Sequence, residues 1–214
     1  MKKPGTFHIV VDSNSQASPL PWQHKDDTLD PEKFTTYWNT YPYVFKQRMA
    51  SSMPSEVSVS VFSARGGTIR HAAGRVNDTI RWMGPDVTVL NHGVVDCWIR
   101  KGNVQKVPLA EFEQLLGNIL EFKSQKNPDL LMVLLGIPHT NAKTNAALPA
   151  LAGHIDAYND VLRKRAGGMV TYLDLAPGQA EMGEDFLHPD GHHFSPKAHV
   201  WIGEQLSRIT LQRS

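Results

Sequence analysis

Cysteine occurs once among the 214 residues, at Cys97, so no internal disulfide can staple the chain and packing must hold it together. No stretch approaches the roughly 20 consecutive apolar residues of a membrane-spanning helix. The basic start Met1–Gly5 is followed by an apolar run that stops at Asp12, a poor signal peptide, which makes a cytoplasmic protein the expectation. Blocks of like charge are also missing. With a formal net charge of +1, the chain lacks the basic stripe that a nucleic-acid partner would require. Internal repeats, low-complexity tracts and composition breaks are absent too, so residues 1–214 read as one domain. At 41% hydrophobic and 20% charged, the composition suits a globular protein of a size that buries a real core.

Five apolar runs stand out: Phe7–Val11, Val57–Phe62, Val87–Leu90, Leu130–Ile137 and Met169–Leu173. The fourth has no polar alternation, as expected of a strand buried on both faces of a parallel sheet. Helical stripes lie between the runs. One is Ile69, Ala72, Ala73, Val76 and Ile80; another is Phe112, Leu115, Leu116 and Ile119; a third is Ile155, Tyr158 and Leu162. Ser195 followed by Pro196 marks the start of a last helix carrying Ala198, Ile202, Leu206 and Ile209 on one side. In segment 16–50, Asp30-Pro31-Glu32 reads as a helix opening and Pro42 as its end or kink. Strands alternating with helices predict an α/β fold, a parallel sheet with helices on both faces. Ligands then bind beyond the carboxyl ends of the strands, which directs attention to 12–15, 63–67, 91–100 and 138–147, and to the loop before the last helix.

That loop, "EDFLHPDGHHFSPKAH", contains Asp-x-x-His twice: Asp185 with His188 and Asp190 with His193. At this spacing a carboxylate can accept the imidazole Nδ1–H across one turn. The other nitrogen is then free to take a proton from a serine hydroxyl. Serine is a weak nucleophile without such a base. Ser13, after the first apolar run, is the candidate. Asp190 and His193 are preferred because the Ser195-Pro196 helix start would hold His193 in place. The crowd of His188, His192, His193 and His199 also invites a metal reading, but adjacent His192 and His193 side chains should diverge, and no metal or cofactor is expected. Cys97 reads as a small buried residue. Arg65 can meet an anionic substrate group, although a solvated loop arginine is the simpler reading. His139 and Asn141 follow the fourth strand and are candidates to line the cleft. Asn159 and Asp174 read as structural.

The blocks "VVDSNSQ", "SARGGTI", "NHGVVDCWIR" and "DGHHFSPKAHVWIGEQL" resemble, in order, those of the SGNH (GDSL-type) hydrolases. The resemblance implies a three-layer α/β/α, flavodoxin-like fold with a five-stranded parallel sheet. It also implies a triad of Ser13, Asp190 and His193, with the Gly66 N–H pointing into an oxyanion hole. The third block departs from the family's Gly-x-Asn-Asp. It reads Gly93-Val94-Val95-Asp96, and valine cannot donate to an oxyanion. Asn91, His92 and Arg100 are the candidate substitutes, and Asp96 with Arg100 is a candidate buried ion pair shaping the loop. The expected activity is a serine esterase that removes a small acyl group from a carbohydrate or other polar alcohol through an acyl-enzyme. Such an enzyme takes a small-molecule or glycan ester, with no nucleic-acid or membrane partner. O-acyl transfer by the same triad and a non-catalytic glycan-binding role are the alternatives.

Overall fold

The computed structural model describes residues 5–19, 35–100 and 104–213, without the side chain of Arg100. Five parallel strands form the main sheet in the order β2-β1-β3-β6-β7. They are β1 (Thr6–Asn14), β2 (Glu56–Ala64), β3 (Val87–Asn91), β6 (Leu131–Leu135) and β7 (Val170–Leu173). All five expected runs are strands. A small antiparallel pair, β4 (Ile99–Arg100) and β5 (Val104–Gln105), follows β3. The helices are α1 (Tyr41–Ser52), α2 (Ile69–Val76), α3 (Leu109–Lys126), α4 (Ala142–Ala147), α5 (Leu151–Lys164), α6 (Ala176–Met182) and α7 (Pro196–Leu211).

The apolar stripes become two cores, one on each sheet face. Ile9 and Val11 of β1 and Val133 of β6 pack with Phe45 of α1 and Ile202 of α7. The residues between them point the other way. Leu90, Met132 and Leu134 pack with Ile69 of α2, Phe112 of α3 and Tyr158 of α5. Strand β6 is buried along its whole length, which explains its unbroken apolar run. Burying a side chain of this size contributes roughly 1.5–3 kcal/mol.

Two boundaries differ from the sequence expectation, and one matters for the site. Pro42 stands in the first turn of α1 and opens that helix, because its missing N–H costs nothing there. The expected opening at Asp30-Pro31-Glu32 lies outside the described residues. More important, β1 runs three residues beyond Val11, to Asn14. It pairs on both sides out to Ser13, where Ser13 faces Ser63 of β2 and Asn91 of β3. Asn159 clamps the end of β6, accepting from the Ile137 N–H at 2.8 Å and donating to the Ile137 carbonyl at 2.9 Å. Asp174 accepts from the Ala176 N–H at the end of β7. Both residues are structural, as expected.

Candidate active site

Side chains alternate along a strand, so the extra length of β1 decides where its polar residues point. Ile9 and Val11 face the α1/α7 core, and Ser13 shares their parity. Its side chain is fully buried and lies against the Tyr41 hydroxyl. Asn91, directly opposite on β3, points the same way and donates to the Tyr41 hydroxyl at 3.0 Å. Burial pushes the Tyr41 phenol up from its ordinary pKa. No hydrogen bond joins Ser13 to His193, so the expected Ser13–His193 pair is not assembled.

Ser15 stands there instead. Its Oγ lies 2.9 Å from His193 Nε2. Asn14 makes this possible. Its Oδ1 accepts from the Gln16 N–H at 2.9 Å and its Nδ2 donates to the Asn91 carbonyl at 3.3 Å, so the chain leaves the strand in a 3-10 turn, Ser15–Ala17. Ser15 opens that turn, beyond the end of the sheet pairing. The signal in the sequence was strand parity: once the strand extends through Asn14, an inward Ile9 and Val11 make Ser13 inward as well.

Asp190 and His193 lie where the spacing placed them. Asp190 Oδ2 meets His193 Nδ1 at 2.7 Å, and Asp190 Oδ1 accepts the main-chain N–H of His192 and His193 at 3.1 and 3.0 Å. Burial alone would raise the Asp190 carboxyl. The His188 and His193 side chains and the two amides outweigh it and hold the group far below the usual carboxylate range. The loop turns at Gly191, whose φ of +83° suits glycine and where a Cβ would collide with the Asn141 side chain. Ser195 caps α7, accepting from the Ala198 N–H at 3.1 Å. The alternative dyad is not assembled: the Asp185 carboxylate is exposed and pairs with Lys197 at 2.6 Å.

A cavity of about 320 Å³ opens beside this chain of hydrogen bonds. It is lined by Ser15 and Gln16 after β1, Arg65 and Gly66 after β2, Val94, Val95 and Trp98 after β3, and by Lys106, His192 and His193. These segments follow neighbouring strand ends, the place such sheets reserve for ligands. Gly66 has φ +68°, and Lys106 Nζ donates to its carbonyl at 2.6 Å. The Gly67 N–H is spent on the Ala64 carbonyl, which leaves Gly66 as the oxyanion candidate of the pair.

Asn91, His92 and Asp96, also expected as oxyanion or substrate residues, are not among the described residues that line this cavity. Asn91 is turned to Tyr41. Asp96 is fully buried, and its two oxygens accept the N–H groups of Ile69 and Gly93, both at 2.9 Å, which fastens the start of α2 to the loop after β3. Its carboxyl is pushed up by burial, against the pull of His92 and the two amides. His92 Nε2 is committed to Asp12 Oδ1 at 2.7 Å, and Arg75 grips the same carboxylate through two bonds of 2.6 and 2.7 Å. His92 and Arg75 hold Asp12 below its ordinary pKa despite its burial. Arg100 closes β4, and its side chain lies outside the described residues, as does the ion pair expected between it and Asp96. His139 and Asn141 are not in the cavity either. His139 is exposed within 3.2 Å of Asp156, and Asn141 caps α4.

His192 and His193 do not diverge: their ring centroids are 4.2 Å apart. Potential ligand atoms of Asp190, His192 and His193 lie within 4.8 Å of one another. Both Asp190 oxygens already accept hydrogen bonds, so the donor set serves the imidazole chain. Cys97 is buried, and burial pushes its thiol up, away from the reactive thiolate.

A model of the GDSL-like lipase/acylhydrolase family matches residues 22–201. The chain belongs to that family. Its members are carboxylic ester hydrolases, and the matched span includes Asp190 and His193 but begins after the Ser15 turn. The fold has relatives among solved structures at low sequence identity. The lipase/acylhydrolase of Enterococcus faecalis superposes with a TM-score of 0.71 at 17% identity, covering 96% of either chain. A lipase from a goat rumen metagenome gives 0.71 at 15% identity, over 95% of this chain and 97% of its own. An acetyl xylan esterase gives 0.71 at 15% identity, over 95% and 99%. No curated protein is similar enough in sequence to match. No helix among the described residues is long and apolar enough to cross a membrane.

Proposed function

We propose that this family member is a serine esterase whose nucleophile is Ser15. One observation carries the reading: the continuous hydrogen-bond chain from Ser15 Oγ through His193 to Asp190. His193 Nε2 takes the hydroxyl proton as Ser15 Oγ attacks the ester carbonyl carbon. Asp190 steadies the resulting imidazolium and keeps the ring oriented. The C–O bond to the alcohol then breaks, the imidazolium protonates the leaving oxygen, and an acyl-Ser15 ester remains. Water, deprotonated by the same imidazole, attacks that ester; the acyl–Oγ bond breaks, the carboxylic acid departs and the imidazolium returns the proton to Ser15 Oγ. Main-chain N–H groups at Ser15 and Gly66 take the oxyanion. The side-chain amide that the family supplies is replaced by Val95 on the cavity wall. Absence of such a donor commonly costs about a hundredfold or more in rate.

The substrate class we infer is an ester of a small acyl group with a carbohydrate or other polar alcohol. A cavity of about 320 Å³ lies at the small end of ligand pockets and accommodates a short acyl chain with part of its alcohol. The likeness to an acetyl xylan esterase points the same way. A fluorophosphonate probe tests the nucleophile. Wild type and Ser13→Ala should be labelled, Ser15→Ala should not, and Ser15→Ala and His193→Ala should lose turnover of 4-nitrophenyl acetate. Labelling of Ser15→Ala at the wild-type rate would refute the assignment.

A further inference from the structure

His192 lines the cavity beside Ser15 and stacks near the base, ring centroids 4.2 Å apart, yet the triad gives it no part. Its polar atoms can be followed one by one. The main-chain N–H donates to Asp190 Oδ1 at 3.1 Å, and the carbonyl accepts from Gln16 Nε2 at 3.0 Å. Gln16 is buried on the turn that carries Ser15, so the loop of the base and the turn of the nucleophile are tied together at His192. The ring nitrogen Nδ1 lies 3.2 Å from the Asp190 carbonyl oxygen and 3.5 Å from Asp190 Oδ1. Both oxygens are acceptors, because the Asp190 carboxyl is held ionised, and so Nδ1 carries the proton. Burial, then the neighbouring His193, hold the His192 pKa below the ordinary imidazole value against the pull of Asp190. The ring is therefore neutral, and Nε2 bears a lone pair.

His193, the next residue, shows the contrast. Its Nδ1 is likewise turned to Asp190, and its Nε2 meets Ser15. No described residue meets His192 Nε2. With Nδ1 turned back into the loop, Nε2 lies on the opposite edge of the ring, and 35% of the side chain is exposed where the cavity opens. Apolar surface stands beside this acceptor. Val94 and Val95 line the same cavity, as does Trp98, whose indole meets the His192 ring edge-on at 5.2 Å. Apolar surface with a few fixed polar atoms orients a ligand by its hydrogen bonds. A fixed acceptor asks for a donor, and the donor that an ester of a sugar or glycol brings is a free hydroxyl. Because the two imidazoles are neighbours, that hydroxyl belongs to a carbon near the ester.

We propose that His192 determines specificity for the alcohol half of the substrate: its Nε2 accepts a free hydroxyl beside the ester, so monoesters of vicinal diols, as sugars present them, are preferred. The proposal rests on the esterase reading and narrows its substrate class. One neutral hydrogen bond of this kind should favour the hydroxylated ester by about threefold to tenfold in kcat/KM.

Acetate release from 2-hydroxyethyl acetate tests it against two comparators. In 2-methoxyethyl acetate the oxygen is kept but has no proton to give. In propyl acetate a methyl group of similar size replaces the hydroxyl. Each kcat/KM is divided by that compound's rate of alkaline hydrolysis, which removes differences in intrinsic reactivity. The wild type should prefer the hydroxylated ester over both comparators by about threefold or more. His192→Phe keeps a planar ring beside Trp98 and His193 without the acceptor, and should bring both ratios to about one. Because each quantity is a ratio within one protein, a general loss of activity cancels. Should His192→Phe fail to fold, the wild type still decides. A wild-type ratio near or below one against either comparator, or a preference unchanged in His192→Phe, overturns the proposal. Ser15-dependent hydrolysis of 4-nitrophenyl acetate would leave the esterase reading standing in that event. Its persistence in Ser15→Ala would sink that reading instead.

Discussion

Two serines two residues apart, Ser13 and Ser15, should behave in opposite ways when truncated. Ser15→Ala removes the oxygen that lies 2.9 Å from His193 Nε2. Loss of a triad nucleophile costs on the order of 10⁴- to 10⁶-fold in kcat, or about 5.5 to 8 kcal/mol of barrier. The side chain is only half-buried on a turn, so stability should change by less than about 1 kcal/mol. Ser13→Ala removes a buried oxygen beside the Tyr41 hydroxyl. Loss of a typical hydrogen bond costs about 0.5–1.5 kcal/mol, and the void left is small. The variant should therefore stay within about 1.5 kcal/mol of wild type, with kcat/KM within about threefold. Steady-state hydrolysis of 4-nitrophenyl acetate and urea unfolding measure both quantities on the same preparations. An inactive Ser13→Ala that folds normally, beside an active Ser15→Ala, would refute the reasoning from strand parity.

Asp190→Asn should fold with the loop intact and lose about 10⁴-fold in kcat, because an amide can hold His193 in the wrong tautomer; a pH-rate profile and circular dichroism check this. His199 is buried with its pKa lowered from 6.5 to about 3, mainly by burial, and its Nδ1 accepts the Tyr41 N–H at 3.1 Å. Its folded pKa lies below its unfolded one, so it leaves stability untouched above about pH 6.5 and withdraws about 1.4 kcal/mol per pH unit between there and pH 3. Between pH 7 and pH 5 the wild type should thus lose about 2 kcal/mol more than His199→Gln, as urea unfolding at both values will show. Asp12→Ala strands the Arg75 guanidinium and the buried His92; a loss of about 3–5 kcal/mol in the same assay is expected, and a neutral result would mean the network is not structural.

Much of this protein was legible before any coordinates, for local reasons. The five strands show because apolar runs of that length bury themselves whatever follows. The stripe on α7 and its Ser195 cap are patterns within a few residues of one another. Asp190 and His193 could be paired from sequence because three residues and a tight turn suffice to bring carboxylate and imidazole together. Asn159 and Asp174 were likewise recognisable by their places at element ends.

The chain's own pattern thus determined the layered architecture and the acid–base half of the site, since periodicity, capping and short spacings act over a few residues. Only the tertiary structure decided which hydroxyl meets His193. The length of β1 is set by pairing with β2 and β3, strands more than forty residues away. That pairing carries the strand to Asn14, turns Ser13 into the core and puts Ser15 on the turn beyond. It likewise took the packed structure to bring Lys106 onto the loop of Gly66 and to spend Asp96 and His92 on internal bonds. Contacts between distant segments depend on how whole layers stack, and no short stretch of sequence carries that information.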